Sequence, residues 1–161
     1  MKNFDYKLDY KKLDFTNKET RKHYCIGRGE QGVLLVRPYT NDICKYWRFK
    51  TPSIAKESAN KIYDMYAEYR SKNDFVGMDM CRKFLEMGFT RARRYANHKD
   101  GKKYDKDGKV LPQEPDALYS EKAKAARTFK RWRDVVTHDP KYISMRKMWR
   151  GYEAGLTIWI N

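Results

Sequence analysis

Apolar residues recur every three to four positions along most of the chain, so helices are expected to carry the fold. Thr51-Pro52 reads as a cap followed by a first-turn proline. The helix it opens is expected to reach about Arg70, with Ile54, Ser58, Ile62, Met65 and Tyr69 as its inner stripe and Tyr66 alongside. Asp74 can cap the next helix. Met78, Cys81, Leu85 and Gly88 share one side of it with Phe84 nearby, and Asp79, Arg82, Lys83 and Glu86 share the other. Gly88 reads as the glycine just past a helix end, Phe89 as a plug into the core, and Thr90 as the cap of a second, short helix to about His98. A further helix is expected from Asp116 or Ser120 to Val136, facing Ala125, Phe129, Trp132 and Val136 inward. Asp139-Pro140 opens the last one, striped by Tyr142, Met145, Trp149, Tyr152 and Leu156, with Ile158-Trp159-Ile160 docking on the core.

The rest is less periodic. Over residues 1–15, aromatic or leucine residues alternate with charge (Phe4, Tyr6, Leu8, Tyr10), which fits an edge strand or an extended arm. Thr16 or Asn17 can cap a short helix. Gly27, Gly29 and Gly32 match the spacing of a phosphate-binding loop, but a β-branched run follows where such a loop would open a helix. The preferred reading is a glycine-rich turn into a short buried strand over 33–36. Lys106-Asp107-Gly108-Lys109 signals a turn, so a hairpin or wing is expected over 102–111. The expected class is therefore mainly α, or α+β counting these β pieces. A single basic domain spans 1–161, with a helix-turn-helix-like unit at 74–98 and a loop or wing at 99–116.

Charge changes this picture more than composition does. Lys and Arg number 36 against 21 Asp and Glu, a formal +15, which calls for a polyanionic partner; nucleic acid comes first, with an anionic membrane and an acidic protein behind it. Between Arg91 and Lys103 the bias is strongest. Arg91, Arg94, Tyr95 and His98 fall on one helical face, Arg93 and Asn97 flank it, and Lys99, Lys102 and Lys103 follow. In a nucleic-acid reading Arg91, Arg94 and the three lysines neutralise phosphates, Arg93, Tyr95 and Asn97 reach bases or stack, and the outer faces of the last two helices near Arg127, Arg131 and Arg146 extend the footprint. The second reading is an enzyme on nucleic acid or nucleotides, with Glu30, Asp74 or Asp79 as base or metal ligand and His98 or Tyr95 as proton donor. The third is a protein that binds an acidic host or virion protein.

Cys25, Cys44 and Cys81 lack paired spacing, and His23, His98 and His138 are scattered, so free thiols in a reducing compartment, no metal site and no cofactor are expected. The charged start is not expected to be a signal peptide, and the longest apolar run, 33–36, cannot span a membrane. A cytoplasmic protein is expected, with DNA ahead of RNA as ligand.

The stretches GEQGVLLVRPY, WRFKTP and DFVGMDMCRKFLEMGFTRARRYANHKDGKKYD together resemble a family of small proteins catalogued as a domain of unknown function and found in tailed phages, bacteria and fungi. The resemblance spans about residues 5–150. It implies a single-domain, phage-type protein and assigns neither an activity nor a functional residue.

Overall fold

In a computed structural model, which describes residues 2–156, the chain folds as helices around one long central helix. The expected docking of Ile158-Trp159-Ile160 lies outside the described residues. Among those described there are six α-helices: α1 (Lys18–Arg21), α2 (Tyr39–Cys44), α3 (Pro52–Ser71), α4 (Phe75–Asn97), α5 (Glu121–Thr137) and α6 (Pro140–Glu153). α4 is the centre, packed most extensively against α5 and α3, with α2 and α6 also against it.

The helix starts follow the sequence. Thr51 accepts a hydrogen bond from the Ile54 N–H at 3.2 Å, Asp74 from Gly77 at 3.1 Å, Ser120 from Ala123 at 3.1 Å, and Asp139 from Lys141 at 3.1 Å. Asn17 caps the single turn of α1. The inner stripes are Ser58, Ile62 and Tyr66 in α3, Ala125, Phe129 and Val136 in α5, and Tyr142 and Trp149 in α6. Leu156 lies past the end of α6 and is exposed.

Several expectations need correction. α4 runs unbroken through Gly88, so there is no helix-turn-helix. Gly88 is a contact residue rather than a helix stop. A Cβ built there would lie 2.4 Å from Cδ1 of Phe129, so the missing side chain is what lets α5 approach α4. Residues 33–36 form no strand. The Val33 N–H bonds the Glu30 carbonyl and the Leu35 N–H bonds the Gly32 carbonyl, so the segment closes on itself in consecutive turns that bury Val33 and Val36. The N-terminal segment is neither strand nor surface arm: Phe4, Tyr10 and Phe15 are all buried, with Tyr10 and Phe15 stacked at 6.1 Å. The hairpin is reduced to one antiparallel bridge between Tyr104 and Val110, its turn held by the Asp105 carboxylate on the N–H groups of Asp107 and Lys109.

The polar side of α4 is not a solvated one: Asp79, Arg82 and Lys83 are all buried. Phe75, Val76, Met80 and Met87 put apolar residues on that side too, so the first three turns are enclosed on every side. The turns of residues 25–32 and α6 cover the charged side through hydrogen bonds rather than apolar packing alone.

Candidate nucleic-acid interface

α4 divides into two halves with opposite uses of charge. In the first half Asp79 has no exposed surface. One of its oxygens accepts from the Tyr142 hydroxyl at 2.7 Å and Arg82 Nε at 2.9 Å, the other from the Tyr24 hydroxyl at 2.5 Å. Lys83 Nζ is 4.0 Å away and donates to the Cys25 carbonyl at 2.7 Å, over the rings of Tyr24 and Phe4. Arg82 also donates to the carbonyls of Gly29 and Ile26, fixing the glycine-rich turns. Burial alone would raise the Asp79 pKa, but Arg82, Lys83 and the Tyr24 hydroxyl outweigh it and hold the carboxyl below its usual range. Burial drives the Lys83 ammonium the other way, down to about 7, against the pull of Asp79.

Of the three candidate acids, the node takes Asp79 out of reach, while Asp74 and Glu30 have partners of their own. Asp79 is sealed. Asp74 is occupied as helix cap, as partner of Arg21 at 3.0 Å and as acceptor for Tyr39. Glu30 accepts from Thr90 at 3.0 Å. No group of three or more His, Cys, Asp or Glu side chains able to hold a metal occurs among the described residues.

The second half of α4 is the reverse. Arg91, Arg94 and Tyr95 are exposed on its last two turns. Lys99 follows in a 3₁₀ turn, Lys99–Gly101, where Asp100 and Gly101 take positive φ of 55° and 70° and swing the chain away from the helix axis. Lys102 and Lys103 then lead into the hairpin. None of these five cations has a carboxylate partner among the described residues; Lys103 only overlies the Tyr104 ring at 5.5 Å. The Tyr95 ring is 43% exposed and leans on Phe49 at 5.8 Å, and Tyr104 is 55% exposed. From 91 to 109 the chain carries eight Lys or Arg against three Asp.

Three expected site residues do not join this face. His98 is buried. Arg93 is half-buried and donates to the Ala117 carbonyl at 3.1 Å, with its pKa lowered by burial and by Arg127. Asn97 is half-buried, and its carbonyl accepts from the Glu114 N–H at 2.7 Å. Their side of α4 is covered by residues 114–117, a tertiary contact with no helical period to announce it. Tyr104, the neighbour of Lys103 in the chain and absent from the sequence expectation, adds a second exposed ring to this segment.

No helix among the described residues is long and apolar enough to cross a membrane. No curated protein and no solved structure matches the chain significantly. Residues 5–152 match the family model described as Domain of unknown function (DUF4385), and the chain belongs to that family.

Proposed function

We propose that the protein binds nucleic acid through the phosphate backbone, using Arg91, Arg94, Lys99, Lys102 and Lys103, with Tyr95 and Tyr104 as stacking surfaces. One observation carries this reading: these cations cluster on one exposed segment with no carboxylate partner among the described residues, whereas Arg70, Arg82, Arg133 and Arg150 are each paired. A continuous α4 offers no recognition helix projecting from a turn, so the reading is backbone contact and stacking rather than groove readout. It places the protein in the cytoplasm, with DNA the first ligand to test.

The test is fluorescence anisotropy with short duplex DNA, single-stranded DNA and RNA across a salt series. Five phosphate contacts give a log–log salt slope of roughly −4 to −5 on duplex, a loss of about 10²–10³-fold in affinity between 50 and 200 mM salt. Arg91→Glu/Arg94→Glu should abolish the binding. A flat salt response would sink the proposal and turn attention to an acidic protein partner.

A further inference from the structure

A cleft of about 700 Å³ opens on another aspect of α4, walled by α5, α6 and the glycine-rich turns. Arg91 comes nine residues after Arg82, about two and a half helical turns, so the basic face and the cleft point to opposite sides of the helix. Five cations line the cleft: Arg82, Arg133, Arg146, Lys147 and Arg150. Three of them are fixed. Arg82 is held by Asp79 at 2.9 Å, Arg133 by Glu86 at 2.9 Å and Asp134 at 2.9 Å, and Arg150 by Glu153 at 3.0 Å and the Gly27 carbonyl at 3.0 Å. The other two, Arg146 and Lys147, are exposed on the α6 wall with no carboxylate partner among the described residues.

We infer that this cleft binds the polyphosphate group of a small molecule, of the size of pyrophosphate or a nucleoside triphosphate. Each fixed guanidinium carries five donors, and two or three N–H groups of each remain beyond those given to carboxylates and to the carbonyls of Gly27, Gly29 and Ile26. They sit in set orientations, so little side-chain entropy is lost when an anion arrives. Arg146 and Lys147 supply charge that no carboxylate among the described residues pairs with. Gly29 adds a lip without a side chain: nothing lies within 4 Å of where its Cβ would be, so a bulky anion can approach the backbone there. Among the described residues the cleft offers no exposed aromatic ring for a base, because the Tyr142 it includes is buried and donates its hydroxyl to Asp79. Recognition is therefore of the phosphates and not of the base. A volume of this size exceeds what one phosphate fills and suits two or three in a row.

The experiment is isothermal titration calorimetry of the full chain with pyrophosphate, ATP and sulfate. Pyrophosphate and ATP should bind at one site per chain with affinities within about tenfold of each other, and sulfate at least about tenfold more weakly. Arg146→Glu and, separately, Lys147→Glu should each weaken pyrophosphate by about tenfold or more. Both residues are exposed, and unchanged circular dichroism would show that the variants fold. Arg91→Glu/Arg94→Glu should leave pyrophosphate binding within about twofold, and Arg146→Glu should leave oligonucleotide binding within the same margin. Absence of pyrophosphate binding, or binding indifferent to both α6 variants, would overturn the inference. So would an equal loss in the Arg91→Glu/Arg94→Glu protein, which would mean diffuse charge attraction. If Arg146→Glu costs oligonucleotide affinity as much as the Arg91/Arg94 change does, the cleft belongs to the nucleic-acid footprint and the inference also fails. Because the two surfaces carry separate variants, failure of the nucleic-acid proposal leaves this result intact.

Discussion

The two halves of α4 carry similar residues to opposite ends. Asp79, Arg82 and Lys83 near its start are buried and joined to one another. Arg91 and Arg94 near its end are exposed and have no carboxylate partner among the described residues. A buried charge must be compensated by neighbours, because the interior cannot solvate it. An exposed arginine is solvated by water and free to exchange that water for a phosphate. The first half therefore uses charge to fix the turns of residues 25–32 and α6 in place. The second half leaves charge available. Adding up Lys and Arg along the chain hides this division, since Arg82 and Arg91 count the same in a net charge of +15.

The comparison breaks most clearly at Asp79. Asp79→Asn keeps the shape but leaves Arg82 and Lys83 buried without their counter-charge. Losing one partner of such a cluster costs about 3–5 kcal/mol, read by urea or thermal denaturation as a fall in the midpoint of about 10–15 °C for a chain of this length. A cost below about 1 kcal/mol would mean that the node is not what secures the first half of the helix. The second half should behave in the opposite way. Arg91→Glu/Arg94→Glu is expected to leave stability within about 0.5 kcal/mol while lowering nucleic-acid affinity by about 10²-fold or more. A large stability loss there would show that those arginines are structural after all.

Gly88 stands between the two halves, and its substitution tests whether α4 is one helix. Were it an exposed mid-helix glycine, alanine would stabilise by up to about 1 kcal/mol. Against Phe129, whose Cδ1 lies 2.4 Å from the added Cβ, Gly88→Ala should instead cost about 1–3 kcal/mol. Combining it with Phe129→Leu, which opens space opposite, should recover part of that loss in a denaturation series.

What could be read from the chain was local. Caps at Thr51, Asp74, Ser120 and Asp139 depend on a side chain and an N–H two or three residues away, and all four are present. Stripes in α3 and α5 depend on one helical period. Gly88 was misread because a glycine that ends a helix and one that admits a neighbouring ring look alike in sequence; the difference lies 41 residues away at Phe129. The burial of Asp79, Arg82 and Lys83 is hidden in the sequence for a similar reason. Their spacing fits a solvated face, and only Val76, Met80 and Met87 hinted that this side is buried. At the candidate site, Arg91, Arg94, Tyr95 and the lysines could be read because they need only exposure. Arg93 and Asn97 are taken up by a loop that returns from 114–117, His98 is buried, and the cleft between Gly29 and α6 has no sequence signal because its walls come from four separate segments.

The smallest expected effect isolates the least usual member of the node. Lys83 has no exposed surface, and burial lowers its pKa to about 7, whereas an unfolded lysine keeps its proton to about 10.4. Between those values the unfolded chain binds the extra proton, so stability should rise with pH; below about 7 both states hold it and the cost of burying the charge is carried in full. For one site the gain from pH 7 to 8 is about 1 kcal/mol. The groups facing Lys83 are Asp79 and Arg82 on α4, Cys25 in the turns and Glu153 on α6. Cys25 works against the trend, because burial pushes its thiol up and the unfolded thiol ionises first, so the window should close at about pH 8.5. Denaturant midpoints of the wild type from pH 6.5 to 8.5 should climb, and those of Lys83→Met should not. Parallel lines for the two proteins would show that Lys83 stays charged across the window. Asp79 would then hold two cations in the folded core, and the buried half of α4 would be a full ion triad rather than an ion pair beside a neutral amine.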